Sequence, residues 1–404
     1  MNRSTVYSLF GQVVNSALMF AIIIGAAHLS SPGELGIWSL AVAVWTIGTM
    51  VNRAVVVTGA LVAEADRVSP LSRERTEAGL LASVLVGIGG AVAIGLLAVF
   101  GARNMFAELM IFALGIAAYL PYDTIRFRLG QLDRSLAAAV MEASRGVLLV
   151  AVIWCSSIFV FPSLITLAAA FLCANVVLLA CAMILVRSVP RWGSFKWMFS
   201  AEWSRYSLLL LEAALNSIGA NSPVILATVI VGPAEGGAAR IAFTVAGGMG
   251  VLLTAILPAS TLHFVRALKA GENLWKLYLG WSSAVSAFGA IYGIVILFLP
   301  ERVGNLIGGE SWGAASLLIL PVALELCLRG PLNGAPLSLR SALAFKSVVV
   351  LRVSSSVLII FATCVGAYWA GLNGLFWGFV AAQTAVSVLG TGMVASKSFG
   401  RLAN

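Results

Sequence analysis

Pro32-Gly33-Glu34-Leu35-Gly36 and Pro233-Ala234-Glu235-Gly236-Gly237 both read P-x-E-x-G, 201 residues apart in a chain of 404. The same offset pairs Asn15-Ser16 with Asn216-Ser217, Arg128 with Arg329, and Arg145 with Lys346. Each pair alone is a weak coincidence. Together they describe two copies of one unit: an apolar helix with a mid-helix Asn-Ser, a turn at Pro-x-Glu-x-Gly, and a second helix. An internal repeat decides architecture before any local reading does.

Composition fixes the solvent. The chain is 60% hydrophobic and 10% charged, with a mean hydropathy of +1.01, whereas a soluble domain carries about 25% charge. Apolar runs of the roughly 20 residues that a spanning helix needs recur from end to end. No alternating strand pattern occurs, and in hydrocarbon every backbone N–H and C=O must find an internal partner, so the spans are helices. The apolar run over 6–29 is too long for a signal-peptide core and lacks an A-x-A site, so it reads as a retained first span. The five cysteines, Cys155, Cys173, Cys181, Cys327 and Cys364, lie singly in apolar runs and read as small core hydrophobes.

Hydropathy predicts about twelve spans, near 6–29, 37–62, 78–100, 105–125, 136–158, 161–186, 206–231, 238–263, 275–299, 314–328, 347–370 and 374–395. With the N-terminus inside, the inner segments hold twenty Lys and Arg residues, Arg126 and Arg128 among them, against three outside: Arg103, Arg240 and Arg302. This bias places both termini in the cytoplasm, supports an even span count, and accounts for the net charge of +9 without a nucleic-acid partner. The aromatic and basic stretch 187–205 reads as an interfacial segment joining the halves. The expected organisation is a six-helix lobe over 1–190, a linker over 191–205 and a second lobe over 206–404.

Enzymatic signatures are weak. Gly309-Glu310-Ser311-Trp312-Gly313 fits the G-x-S-x-G nucleophile elbow, but that motif needs a strand-turn-helix and a histidine partner. Here it falls in a short outer loop, and His28 and His263 lie elsewhere. No Walker A sequence and no H-x-x-H pattern occurs. The chain is read as no enzyme, with no metal and no cofactor. Gly289 to Gly293 and Gly374 to Gly378 are G-x-x-x-G pairs suited to close helix packing.

The informative side chains are polar groups inside apolar runs, because a charge at mid-bilayer costs about 2.5–3.5 kcal/mol on insertion scales. Arg145 follows Glu142 by one helical turn, which makes either a self-neutralised pair or a cationic cavity group. Arg53 has no acidic residue within a turn, so it faces a cavity or a partner on another helix. Asn15 and Asn216 are repeat mates on the lead helix of each half, with Gln12, Glu212 and Asn221 near them. They read equally as cavity lining or as interhelical hydrogen bonds. Glu142, Glu212 and Glu325 are the candidates for coupling to a gradient.

With these features in place, the chain resembles the polysaccharide flippase branch of the MOP exporter superfamily. The likeness runs through His28 to Trp38, which looks like the family's turn between the first two spans, and through the basic segment from Tyr119 to Ser135. It continues in Val224 to Ala242, Thr254 to Pro258, and Gly309 to Ala315. It covers essentially the whole chain, in placement more than in identity. The resemblance implies a MATE/MOP-like fold of two six-helix lobes around a central cavity, related by a pseudo-two-fold axis, working by alternating access. It implies a cargo of undecaprenyl-pyrophosphate-linked oligosaccharide, carried from the inner to the outer leaflet of the bacterial cytoplasmic (inner) membrane. A proton or sodium gradient would drive it, with polysaccharide polymerase and assembly proteins as partners alongside membrane lipids. By position, Arg53 and Arg145 would serve pyrophosphate or acidic sugars, and Asn15, Asn216 and Asn221 the sugar hydroxyls. The alternative is a MATE-like multidrug or cation antiporter. Such exporters resemble one another in carrying an acid on the first span, where this chain offers Gln12 and Asn15. A membrane-embedded glycosyltransferase would need a longer outer loop, and a major-facilitator carrier would need the G-x-x-x-D-R-x-G-R motif that Ala65 to Glu77 lacks.

Overall fold

The computed structural model describes residues 3–54, 73–131, 134–159 and 162–400. The described residues are almost wholly helical: α1 (Arg3–Leu29), α2 (Pro32–Arg53), α3 (Arg73–Phe100), α4 (Phe106–Gln131), α5 (Ser135–Phe159), α6 (Leu164–Val186), α7 (Trp192–Leu226), α8 (Pro233–Lys269), α9 (Leu274–Leu297), α10 (Glu301–Gly308), α11 (Trp312–Ser316), α12 (Ile319–Ser341) and α13 (Phe345–Gly400). Among them, ten helices are long and apolar enough to cross a membrane, or eleven if the bent run from Glu301 to Ser341 is one span. Helix α13 is 56 residues long, which is about 84 Å of helix against a hydrocarbon core of about 30 Å. Non-helical backbone at Ala370 and Gly371 (φ 57°) divides it into two spans. Divided so, the described residues hold eleven such helices, or twelve if the bent run is one span, against the twelve that hydropathy predicts.

The surface is inverted relative to a protein in water. Val147, Ile184, Phe361 and Trp369 are 69%, 76%, 66% and 80% exposed, while Asp123 and Glu142 are fully buried. Water would penalise such a surface heavily, whereas lipid accepts it. This is a multi-pass membrane protein.

Two compact units emerge, one of residues 1–30 and 37–217, the other of 31–36 and 218–404. In the first, α4 packs against α3, α5 and α6, and α1 packs on α5. Lipid supplies little hydrophobic drive between helices, so shape and contact decide the packing. Here an aromatic column supplies it. Trp38 and Trp45 on α2, Phe112 and Tyr119 on α4, and Phe171 on α6 are all buried. Trp45 lies 4.9 Å from Phe171, 5.2 Å from Tyr119 and 5.9 Å from Phe112, ring centre to ring centre. The seven-residue spacing within α2 and within α4 keeps each pair on one face. Such aromatic pairs add about 0.5–1.5 kcal/mol each. At one end the column becomes polar at Tyr119.

In the second unit α12 packs against α8, α9 and α13. Backbones approach closely at glycines. A Cβ on Gly289 would fall 2.1 Å from the Leu326 carbonyl oxygen, and one on Gly330 2.1 Å from that of Ser282. Gly374 and Gly378 lie equally close to the carbonyls of Gly366 and Ala362 across the α13 kink. Both G-x-x-x-G pairs are therefore helix-packing sites.

The repeated motif explains itself here. Each copy opens a helix, with Pro32 and Pro233 at the first positions, where a missing N–H costs nothing. The glutamate reaches back to the cap: Ser31 donates its N–H to Glu34 Oε2 at 2.9 Å and its hydroxyl at 3.0 Å, a capping box. In the second copy Glu235 Oε2 lies beside Gly232, whose φ of 152° suits glycine. The closing glycines meet the other copy's backbone. A Cβ on Gly36 would lie 1.7 Å from the Pro233 carbonyl oxygen, and one on Gly237 2.6 Å from that of Pro32.

Several sequence expectations are corrected. Arg126 and Arg128, expected in an inner loop, are buried inside α4, because that helix runs to Gln131 rather than ending near 125. Arg240, expected in an outer loop, lies in α8. Stretch 192–205 forms the first turns of α7, continuous with the seventh span. A helix of 35 residues is about 52 Å long, so part of it projects beyond a 30 Å core. Ser311 sits in a 3-10 turn between two short helices, not on a strand-turn-helix elbow.

Candidate functional site

The first unit holds a buried ionic cluster built from four helices. α4 contributes Tyr119, Tyr122, Asp123 and Arg126; α5 contributes Glu142 and Arg145; α1 contributes Asn15; α2 contributes Asn52 and Arg53. Asp123 and Arg126, like Glu142 and Arg145, stand three residues apart and so share a helix face. Arg53 grips Asp123 with two parallel hydrogen bonds, Nε to Oδ2 at 2.9 Å and Nη2 to Oδ1 at 3.2 Å. This forked geometry is the strong form of the pair.

Arg126 bridges the two carboxylates. Its Nη2 donates to Asp123 Oδ1 at 2.7 Å and its Nη1 to Glu142 Oε2 at 3.4 Å. Glu142 also pairs with Arg145 and accepts the Tyr122 hydroxyl at 3.0 Å. Arg145 Nη2 donates to Asn15 Oδ1 at 2.7 Å, and the Tyr119 hydroxyl donates to the same oxygen at 3.3 Å. The Arg145 guanidinium lies 5.0 Å from the Tyr119 ring centre, while Arg53 and Arg126 flank the Phe127 ring at 5.0 and 4.8 Å. Asn52 fixes α2 to α4 by donating to the Leu120 carbonyl at 3.2 Å and to Thr124 Oγ1 at 3.0 Å.

Three guanidiniums face two carboxylates, so the cluster carries one formal positive charge in excess. Its hydrogen bonding is also incomplete: Arg126 Nε and Arg145 Nη1 are buried without a hydrogen-bond partner. A buried donor left unpaired costs about 1–3 kcal/mol, more when charged. One acceptor of the cluster, Glu142 Oε1, is likewise buried without a hydrogen-bond partner. Arg53, with its side chain 18% exposed against 3% for Arg145 and 6% for Arg126, is the most accessible of the three.

Of the residues that sequence reasoning singled out, Asn15, Arg53, Glu142 and Arg145 come together here. The expected Glu142–Arg145 pair forms, and Arg145 engages Asn15 as well. Arg53 finds its acid on another helix. Glu212 is buried and Asn216 exposed on the first-unit part of α7, and Asn221 follows on its second-unit part. Glu325 belongs to the second unit, where both its oxygens lie 3.1 Å from Arg329 Nε. Asp123, Arg126, Tyr119, Tyr122 and Asn52 escaped the sequence reading. The repeated acid-x-x-Arg spacing in Asp123/Arg126 and Glu142/Arg145 is the signal that would have found two of them. Among the described residues no group of three His, Cys, Asp or Glu side chains could hold a metal ion.

No family model matches this chain, and no curated protein does. Solved structures do. A eukaryotic MATE transporter, AtDTX14, aligns with a TM-score of 0.73 over 97% of this chain and 95% of its own, at 13% identity. The Vibrio cholerae MATE transporter VcmN aligns at 0.68 over 98% and 96%, also at 13% identity. This chain has the MATE fold. An inward-facing multidrug resistance MATE family transporter of the MOP superfamily aligns at 0.66 over 99% and 96%, at 16% identity. Each of these neighbours is a transporter, and the alignment spans both halves of the MATE fold. The buried cluster lies wholly within the first of this chain's two units.

Proposed function

We propose that this chain is a MOP-type flippase that moves an undecaprenyl-pyrophosphate-linked oligosaccharide from the inner to the outer leaflet of the bacterial cytoplasmic membrane by alternating access. The observation that carries the reading is the excess of guanidinium over carboxylate in the buried cluster. Pyrophosphate is a compact anion, and forked guanidiniums match its oxygens as they match a carboxylate. Arg53 is the entry point. An arriving phosphate competes with Asp123 for the Arg53 fork, and Asp123 stays bound through Arg126. Arg145 and Asn15 lie deeper and present donors to the head group or its first sugar. Energy from a proton or sodium gradient would reset the exchange, with Glu142, itself a member of the cluster, as the coupling group. Surface polysaccharide polymerase and assembly proteins would take the product.

The second reading is a MATE-like multidrug or cation antiporter. The buried acids Asp123 and Glu142 favour it, because a cationic drug needs a carboxylate. Both acids are already engaged by three arginines, so a further cation would enter a site that is positive on balance. The test is deletion in the native host, followed by extraction of lipid-linked sugars. The flippase reading expects undecaprenyl-linked oligosaccharide to accumulate, surface glycan to disappear, and both to be restored by the wild-type chain but not by Arg53→Ala. Unchanged glycan with altered susceptibility to cationic drugs would support the antiporter instead.

A further inference from the structure

Glu325, Arg329 and Asn333 follow one another at four-residue intervals along α12, so they form one polar stripe on that helix. Arg329 Nε donates to both Glu325 oxygens at 3.1 Å. The Asn333 amide donates back to the Arg329 carbonyl at 2.9 Å. Since α12 begins at Ile319, Arg329 lies about 15 Å along it, half the depth of a core of about 30 Å. Ionisable side chains at that depth face the bundle or a wet opening rather than lipid. Arg329 is directed at α8, where a Cβ on Gly250 would lie 3.6 Å from its Nη1. A longer side chain at 250 would cover the guanidinium. As it stands, the Arg329 side chain is 17% exposed and that of Glu325 6%.

The stripe has hydrogen-bonding capacity to spare. Among the described residues, neither Nη of Arg329 nor Oδ1 of Asn333 has a hydrogen-bond partner. Pro331 and Pro336 stand inside the same helix. Proline has no N–H, so the carbonyls four residues back, those of Cys327 and Leu332, lose their ladder partner. Donors and acceptors therefore alternate along one stretch of helix. The charges balance, one guanidinium to one carboxylate, unlike the cluster of the first unit. A phosphate would meet Glu325 along with Arg329 and gain little. A sugar hydroxyl both donates and accepts and carries no charge, so it suits this mixture.

We infer that this stripe binds the hydroxyls of a neutral glycan, with Arg329 and Asn333 making the contacts and Glu325 holding the guanidinium in place. The inference rests on the cargo proposed above and concerns its sugars rather than its pyrophosphate. The test uses full-length protein in detergent and two synthetic probes, undecaprenyl pyrophosphate and the same lipid bearing a neutral disaccharide, cellobiose. Native mass spectrometry gives an affinity for each. The readout is the ratio of the two affinities, because a general loss of structure lowers both together.

Wild-type protein should hold the disaccharide-bearing lipid more tightly. Asn333→Ala removes one neutral contact and should lower the ratio about two- to tenfold. Arg329 replaced alone would strand Glu325 as a buried charge, so the second variant is Glu325→Leu/Arg329→Met. It exchanges the pair for apolar groups of similar volume, which a buried pair tolerates, and should lower the ratio about tenfold or more. Arg53→Ala should weaken both probes alike and leave the ratio where it was. A wild-type ratio of one, or a ratio unchanged in both stripe variants, overturns the inference. The cargo reading survives that outcome if Arg53→Ala still weakens both probes. A ratio lowered by the stripe variants, with no effect of Arg53→Ala on either probe, keeps the sugar site and removes pyrophosphate from the cluster. Wild-type protein that binds neither probe overturns both.

Discussion

Asp123 carries a heavy structural load, because two guanidiniums, those of Arg53 and Arg126, depend on its one buried carboxylate. Removing one partner of a buried ion pair costs about 3–5 kcal/mol. Asp123→Ala should therefore destabilise strongly, leaving Arg53 and Arg126 without their shared counter-ion. Arg53→Ala should cost less, since Arg126 still covers Asp123. Thermal unfolding in detergent checks this order, and the Arg53→Ala/Asp123→Ala double variant should fall short of the summed losses by about 0.5–3 kcal/mol; full additivity would mean that the fork contributes nothing. Around Glu142 the prediction concerns transport. Glu142→Gln should impair glycan export less than Arg145→Ala, because the amide still accepts from Tyr122 while the guanidinium has no substitute. Equal impairment would reduce Arg145 to the structural half of a pair. The sequence exposed half of this site. Arg53, Glu142, Arg145 and Asn15 were legible because a charge or amide stands out in an apolar run. Asp123 was not, because its fork partner Arg53 lies 70 residues away on another helix and its same-helix partner Arg126 was assigned to a loop, which hid the i,i+3 spacing. Arg126 was hidden by a span boundary drawn at 125, where Arg126 and Arg128 lower the local hydropathy although the helix continues to Gln131.

At the scale of helices, the P-x-E-x-G motif was legible as a repeat but not as a contact. Proline, glutamate and the final glycine have separable roles: start, cap and close approach. The glycine role is invisible in sequence because it concerns what lies opposite. With a Cβ 1.7 Å from a carbonyl oxygen, Gly36→Ala cannot be accommodated without moving backbone, and overpacking of this kind costs about 1–3 kcal/mol or more. Gly237→Ala, at 2.6 Å from the Pro32 carbonyl oxygen, should cost less but act in the same direction. Gly280, with nothing within 4 Å of its Cβ position, is the control. Gly280→Ala should raise helix stability by about 0.5–1 kcal/mol through reduced freedom of the unfolded chain. Melting temperatures of the three variants in one detergent should fall in the order Gly280→Ala, Gly237→Ala, Gly36→Ala, from highest to lowest. A Gly36→Ala variant as stable as wild type would remove the packing explanation for the motif's last residue.

For the molecule as a whole, the span count and the charge bias make one joint claim about topology. Twelve spans return the chain to the side on which it began. Lys and Arg near the span ends hold their side of the membrane during insertion. Withdrawing the buried Arg126 and Arg128 from the inner tally, and Arg240 of α8 from the outer, leaves eighteen against two, so the asymmetry stands. Both termini should then face the cytoplasm, and Arg103 and Arg302 the far side. Alkaline phosphatase fused after Asn404 should be inactive, while the same enzyme inserted after Arg103 should be active; a fluorescent protein that folds only in the cytoplasm should report the reverse. Orientation matters to the cargo because the charged groups of the buried cluster come from the last turn of α2, the second half of α4 and the first half of α5. Under this topology all three lie toward the cytoplasmic leaflet, where a lipid-linked precursor is made and must be recognised first. An active phosphatase at Asn404 together with an inactive one at Arg103 would turn the arginines toward the opposite leaflet, and export of a cytoplasmically assembled glycan would lose its starting point.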